Sequence, residues 1–180
     1  MEHMVRDIAN RYQGLPRRTP DMLLQVVHKF ARAAIQHYPF IQEKKRDVEL
    51  AREEMLASGI SECLVSELII LFQEFHFYLT CWLQIDLALY RLAESDQKEA
   101  FGEIRKRFHD DLELHLRIRK IVDDTESCVT EQFVRCGEEM ACVTDDRYWF
   151  DATPYSVDER SVQSLKRLYD AIMDQRPSSS

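Results

Sequence analysis

The chain has 180 residues, a formal charge of −8, 45% apolar and 31% charged residues. That is enough chain for one substantial buried core, and a single domain over 1–176 is expected. The acidic balance excludes recruitment of nucleic acid by the overall field and leaves only local basic patches for it. These are Arg6, Arg11, Arg17 and Arg18 at the start, and Arg105, Lys106 and Arg107 with Arg117, Arg119 and Lys120 further on.

Four glycines and five prolines are too few for a strand-and-turn architecture, so long helices joined by short loops are predicted. Met1–Asn10 carries both signs of charge and no apolar run. It is therefore not read as a signal peptide, and a cytoplasmic location is expected. Residues 1–18 are expected to form an N-terminal arm or short helix, ending at Gln13-Gly14-Leu15-Pro16.

A strong helix start follows: Thr19 as cap, Pro20 at the first helical position, and Asp21 against the positive end of the dipole. Leu23, Leu24, Val27, Phe30, Ala31, Ala34 and Tyr38 recur at helical spacing. Pro39 should kink or break the run, which resumes through Ile41, Val48, Ala51 and Met55 and closes at Ser58-Gly59.

Ser61–Glu94 is apolar on nearly every side, which means either a membrane span or a helix surrounded by others. Only eleven residues separate the charges of Glu74 and Asp86, well short of the roughly 20 a bilayer needs. The reading is a core helix, with no membrane partner. Its aromatic residues Phe72, Phe75, Phe77, Tyr78 and Trp82 are read as packing. Glu67, Glu74 and Asp86, if buried, must find Arg or His partners or lose their charge.

Asp96-Gln-Lys-Glu99 predicts a capping box for a helix running to Asp123 or Asp124. Its inward stripe is Phe108, Leu112, His115 and Ile118, while His109, Asp110, Glu113 and Arg117 face out. Thr125–Thr144 reads as amphipathic. Long helices are thus placed over 19–145 and a hairpin over 146–157, from Arg147–Phe150 and Pro154–Val157 around a tight turn. Ser156-Val-Asp-Glu159 predicts a capping box for a final helix over 158–175. A disordered tail is expected at 177–180. The expected fold is all-α, a helical bundle of four to six helices with a small hairpin.

No metal and no cofactor is expected. The odd count of five cysteines gives neither a disulfide framework nor zinc spacing. Glu74/His76 and Glu113/His115 are two apart, so each pair points to different faces of its helix. His109/Glu113 and Asp111/His115 are correctly spaced but give no complete ligand shell. Nucleophile elbows and glycine-rich phosphate cradles are absent from the sequence. His76 and His115, each on an apolar helix, are first read as satisfied core histidines.

The aromatic-rich helix with Glu74-Phe-His-Phe-Tyr-Leu79, a helix with Arg and His, a hairpin and a last helix together resemble bacterial proteins of the HEPN superfamily over residues 60–172. The resemblance implies dimerisation through a helical face. In active members it implies metal-free RNA cleavage by an Arg-x4–6-His motif. That motif should fall in 105–120 and does not match: three residues separate Arg105 from His109, and seven separate Arg107 from His115. Arg32-Ala-Ala-Ile-Gln-His37 has the spacing but sits in the first long helix.

The leading expectation is a non-enzymatic interaction or regulatory protein that forms a homodimer. One alternative is a HEPN-like RNase or nucleotide-associated defence protein of toxin–antitoxin type, acting through Arg105, Arg107, His109 and His115. A third is a small-ligand-binding helical bundle with a pocket lined by Glu74, His76 and Trp82.

Overall fold

The computed structural model describes residues 7–95 and 98–176. The Asp96 cap, the tail at 177–180 and the first part of the N-terminal segment lie outside those residues. The described chain is mostly helical: a short 3-10 turn at Ile8–Asn10, then α1 (Pro20–Ser58), α2 (Glu62–Ala93), α3 (Lys98–Arg107), α4 (His109–Ile121) and α5 (Thr125–Cys136). A small sheet of β1 (Ala141–Cys142), β2 (Arg147–Phe150) and β3 (Thr153–Tyr155) precedes α6 (Glu159–Met173).

The start of α1 follows its local signals. Thr19 accepts from the Met22 N–H and Pro20 opens the helix. Gly59, at φ 76°, takes the left-handed C-cap that suits glycine. Pro39 does not break the helix, which runs 39 residues without interruption. The proline is exposed, so its ring faces water and not the packed side of the helix. Ala34, Ile41 and Val48 on either side are fully buried and hold one continuous face inward.

α2 runs back along α1 and also packs on α3, α4 and α5. It is the one described helix long and apolar enough to cross a membrane, and half of its apolar window is buried within the protein. Phe72, Phe75, Tyr78 and Trp82 are fully buried, whereas Phe77 is 42% exposed and so departs from the expected packing role.

The single helix expected to begin at 96 is two helices, with a turn at Phe108. The Phe108 side chain is buried, and its N–H and C=O keep bonds to Ile104 and Leu112. Thr125–Thr144 is not one element either. Gly137 at φ 58° ends α5, and a 3-10 turn leads into β1, a strand the sequence pattern did not announce.

The sheet is antiparallel in the order β1-β2-β3, with Tyr148 opposite both Ala141 and Tyr155. It lies on α2: Phe150 stacks on Phe72 at 4.6 Å, and Tyr148 meets Phe75 edge-on at 5.4 Å. The expected Ser156 capping box is replaced by another cap. Asp158 accepts from the Ser161 N–H and starts α6, because Ser156 is committed elsewhere.

Candidate functional site

The structure places the candidate residues of 105–120 in three separate settings. His115 is fully in the core, stacked on Trp82 with ring centroids 3.9 Å apart, and edge-on to Tyr155 at 5.6 Å. Its Nδ1 is 2.6 Å from the Asp111 carbonyl oxygen and its Nε2 is 2.9 Å from Ser161 Oγ. A carbonyl only accepts, so the proton sits on Nδ1 and Nε2 takes the Ser161 hydroxyl proton. Ser161 Oγ then accepts from Tyr78 OH at 2.9 Å. One turn away on each helix, Ser164 donates to the Asp111 carboxylate at 2.6 Å. Two serines thus fasten α6 to α4.

Ser161 and His115 have the separation of a nucleophile and its base. Their surroundings do not serve that chemistry. Burial pushes the His115 pKa down to about 4, so the imidazole is a weak base at neutral pH. Trp82 and Tyr155 cover its faces. The partner on Nδ1 is a backbone carbonyl, not a carboxylate. The network acts as a structural clasp, with a neutral imidazole at its centre and directionally ordered bonds.

Arg105 and His109 share a cleft of about 540 Å³ with Asp86, Lys106 and Glu113. Arg107 lies on another cleft, of about 560 Å³, with Asp111, Arg167 and Asp170. Arg105, Arg107, His109 and His115 therefore do not form one site.

Glu74, His76 and Trp82 also diverge. The Trp82 ring lies on His115. Glu74 Oε2 is 2.6 Å from His37 Nε2, which supplies the partner that a half-buried carboxylate requires. His76 has its Nε2 buried without a hydrogen-bond partner among the described residues. Burial, then the nearby Arg119 charge, lowers its pKa. The His37 of the correctly spaced Arg32–His37 match is thus tied to Glu74, and its ring touches Phe77 at 4.6 Å and Phe40 at 5.4 Å. Phe40 is 40% exposed. α1 and α2 together present two open aromatic rings around a bonded histidine–carboxylate pair.

Comparison with protein-family models, curated proteins and solved structures finds no match for the chain. Among the described residues, no group of three or more His, Cys, Asp or Glu side chains is placed to hold a metal ion.

Two groupings went unread in the sequence. Lys45 is buried, with its ammonium 2.7 and 2.9 Å from the two Asp146 oxygens, 2.8 Å from Ser156 Oγ and 2.7 Å from the Val157 carbonyl. Burial lowers its pKa, and the bond to Asp146 opposes that. It joins α1 to both ends of the hairpin. Its signal was its place on the inward stripe Ile41–Lys45–Val48.

The second grouping surrounds Asp86, whose side chain is 2% exposed. Arg11 Nε reaches it at 3.0 Å and Tyr12 OH at 2.7 Å. Arg11 also bridges to Glu113 at 3.0 Å, and Arg105 donates to Tyr12 OH at 3.0 Å. Burial, then the Asp86 charge, raises the Tyr12 pKa, so the phenol remains a donor to the carboxylate. The need for a partner at Asp86 was legible. That the partner comes from the N-terminal arm was not.

Proposed function

We propose that this protein is a non-enzymatic helical interaction protein that forms a homodimer through the α1–α2 face centred on His37 and Glu74. The observation that carries the reading is the open pair Phe40 and Phe77 flanking the His37–Glu74 contact. A two-fold interface brings one patch against its own copy. A patch holding a hydrogen-bonding histidine ring beside a carboxylate is complementary to itself after such a rotation. Burying the exposed part of each ring contributes about 2 kcal/mol, taking ~200 Å² per phenylalanine and ~25 cal/mol per Å². The clasp around His115 supports a structural role for the histidine that most resembled catalytic chemistry. Light scattering of the purified chain is expected to give a dimer mass, and Phe77→Glu a monomer of unchanged helicity. A wild-type monomer at every accessible concentration would reject the reading.

A second reading has its own support. Arg105 makes no ion pair and His109 no hydrogen bond among the described residues, and both face the cleft of about 540 Å³. Lys106 stands beside them. A guanidinium bonded to Tyr12 but paired with no carboxylate, beside an unbonded imidazole in a cleft of ligand size, suits a small phosphate-bearing molecule, the chemistry that a HEPN-like or nucleotide-associated role would use. Calorimetric titration with inorganic phosphate and with a mononucleotide tests it. Heat of binding that disappears in Arg105→Gln supports this reading, and no heat at millimolar ligand ends it.

A further inference from the structure

The carboxylate of Asp86 sits on α2 between the buried residues Ile85 and Leu87. Among the described residues, both of its hydrogen-bond partners, Arg11 and Tyr12, come from the arm that precedes α1. A charge this deep would be costly without them. The seat they fill is built by other elements. Tyr12 stacks on Tyr90 of α2 with centroids 4.0 Å apart and planes 15° from parallel. The Arg105 guanidinium of α3 lies over both rings, at 5.5 and 5.2 Å. Glu113 of α4 takes the other end of Arg11.

The rest of the arm is held by less than Arg11 and Tyr12 are. The 3-10 turn of the arm has no buried residue, and clefts of about 100 Å³ remain on either side of the arm against α2. Residues 14–19 join it to α1, with Gly14 at φ 61° at one end and Pro16 within. A seat filled by two side chains on a tethered, otherwise exposed arm is an arrangement that can exchange.

We propose that the Asp86 seat is a site of arm exchange between two copies of this chain, in which Arg11 and Tyr12 of one copy enter the seat of the other. A second copy carries the identical arginine–tyrosine pair, so the fit in trans repeats every contact found in cis. The closed form competes through the high effective concentration that its short tether provides. Wild-type protein therefore keeps its arm in cis when dilute and exchanges only when concentrated. The site is separate from the α1–α2 face, and the two are tested independently.

The test uses full chains carrying Phe77→Glu, so that association through that face is removed. One chain also carries Arg11→Ala and Tyr12→Ala, leaving its seat empty. The other carries Asp86→Asn, which spoils the seat and frees the arm. Each alone is expected to be monomeric in native mass spectrometry, and their mixture to form a one-to-one complex. Folded variants that stay monomeric when mixed overturn the proposal. A labelled peptide of residues 7–18 gives a measurement independent of whether Asp86→Asn folds. It is expected to bind the Arg11→Ala, Tyr12→Ala chain at least about tenfold more tightly than wild type, whose seat is filled. Equal binding, or no binding, to the two also overturns it.

Discussion

The imidazole of His115 lies flat on the indole of Trp82, with ring centroids 3.9 Å apart and planes 15° from parallel. Both ring nitrogens are bonded, to the Asp111 carbonyl and to Ser161. The ring is consequently kept neutral, and its proton affinity becomes a stability term.

Burial holds His115 at about 4, against 6.5 for a free histidine. Between those values the unfolded chain takes up a proton that the folded chain refuses. The contribution to stability is therefore fully present above about 6.5 and is lost as pH falls toward 4. At ~1.4 kcal/mol per pH unit, the interval amounts to about 3 kcal/mol. His76, lowered by burial and by Arg119, adds to the same slope, so the informative quantity is the difference from His115→Gln. Urea midpoints measured from pH 4.5 to 7 are expected to fall more steeply with acid in wild type than in that variant. Parallel curves would remove the buried histidine as their cause.

Lys45→Met keeps much of the side-chain volume and deletes the ammonium. Asp146 is 41% exposed on its side chain and can turn to water, so the loss falls below that for a fully buried pair. The Val157 carbonyl keeps its bond from Gln42. A destabilisation of about 2 kcal/mol is expected in urea unfolding. A change under 0.5 kcal/mol would show that the three-way contact contributes little.

The cap of α6 distinguishes two local chemistries. Asp158→Ala should cost about 1 kcal/mol through loss of the bond to the Ser161 N–H. Ser156→Ala should act through Lys45 instead, since its hydroxyl takes one ammonium hydrogen and donates to Asp146. A double-mutant cycle with Lys45→Met is expected to show the larger coupling for Ser156, about 1 kcal/mol. A larger coupling for Asp158 would contradict the observed division of roles.

Much of the helical frame was determined by the sequence itself. Thr19-Pro20-Asp21, the apolar period from Leu23 to Ala51 and Gly59 set the two ends of α1, because capping and 3.6-residue periodicity act over a few neighbours. The inward placement of Phe108, Leu112, His115 and Ile118 was legible for the same reason. Local signals failed where a distant partner claimed the residue. Ser156 reads as a cap but serves Lys45, which is 111 positions away along the chain. Only the tertiary structure brings Ser161 to His115 across 46 positions, His37 to Glu74 across 37 and Arg11 to Asp86 across 75. Sequence determined that Asp86 and His115 needed partners, since a buried polar group without one is costly. Packing alone decided which side chains came close enough to supply them.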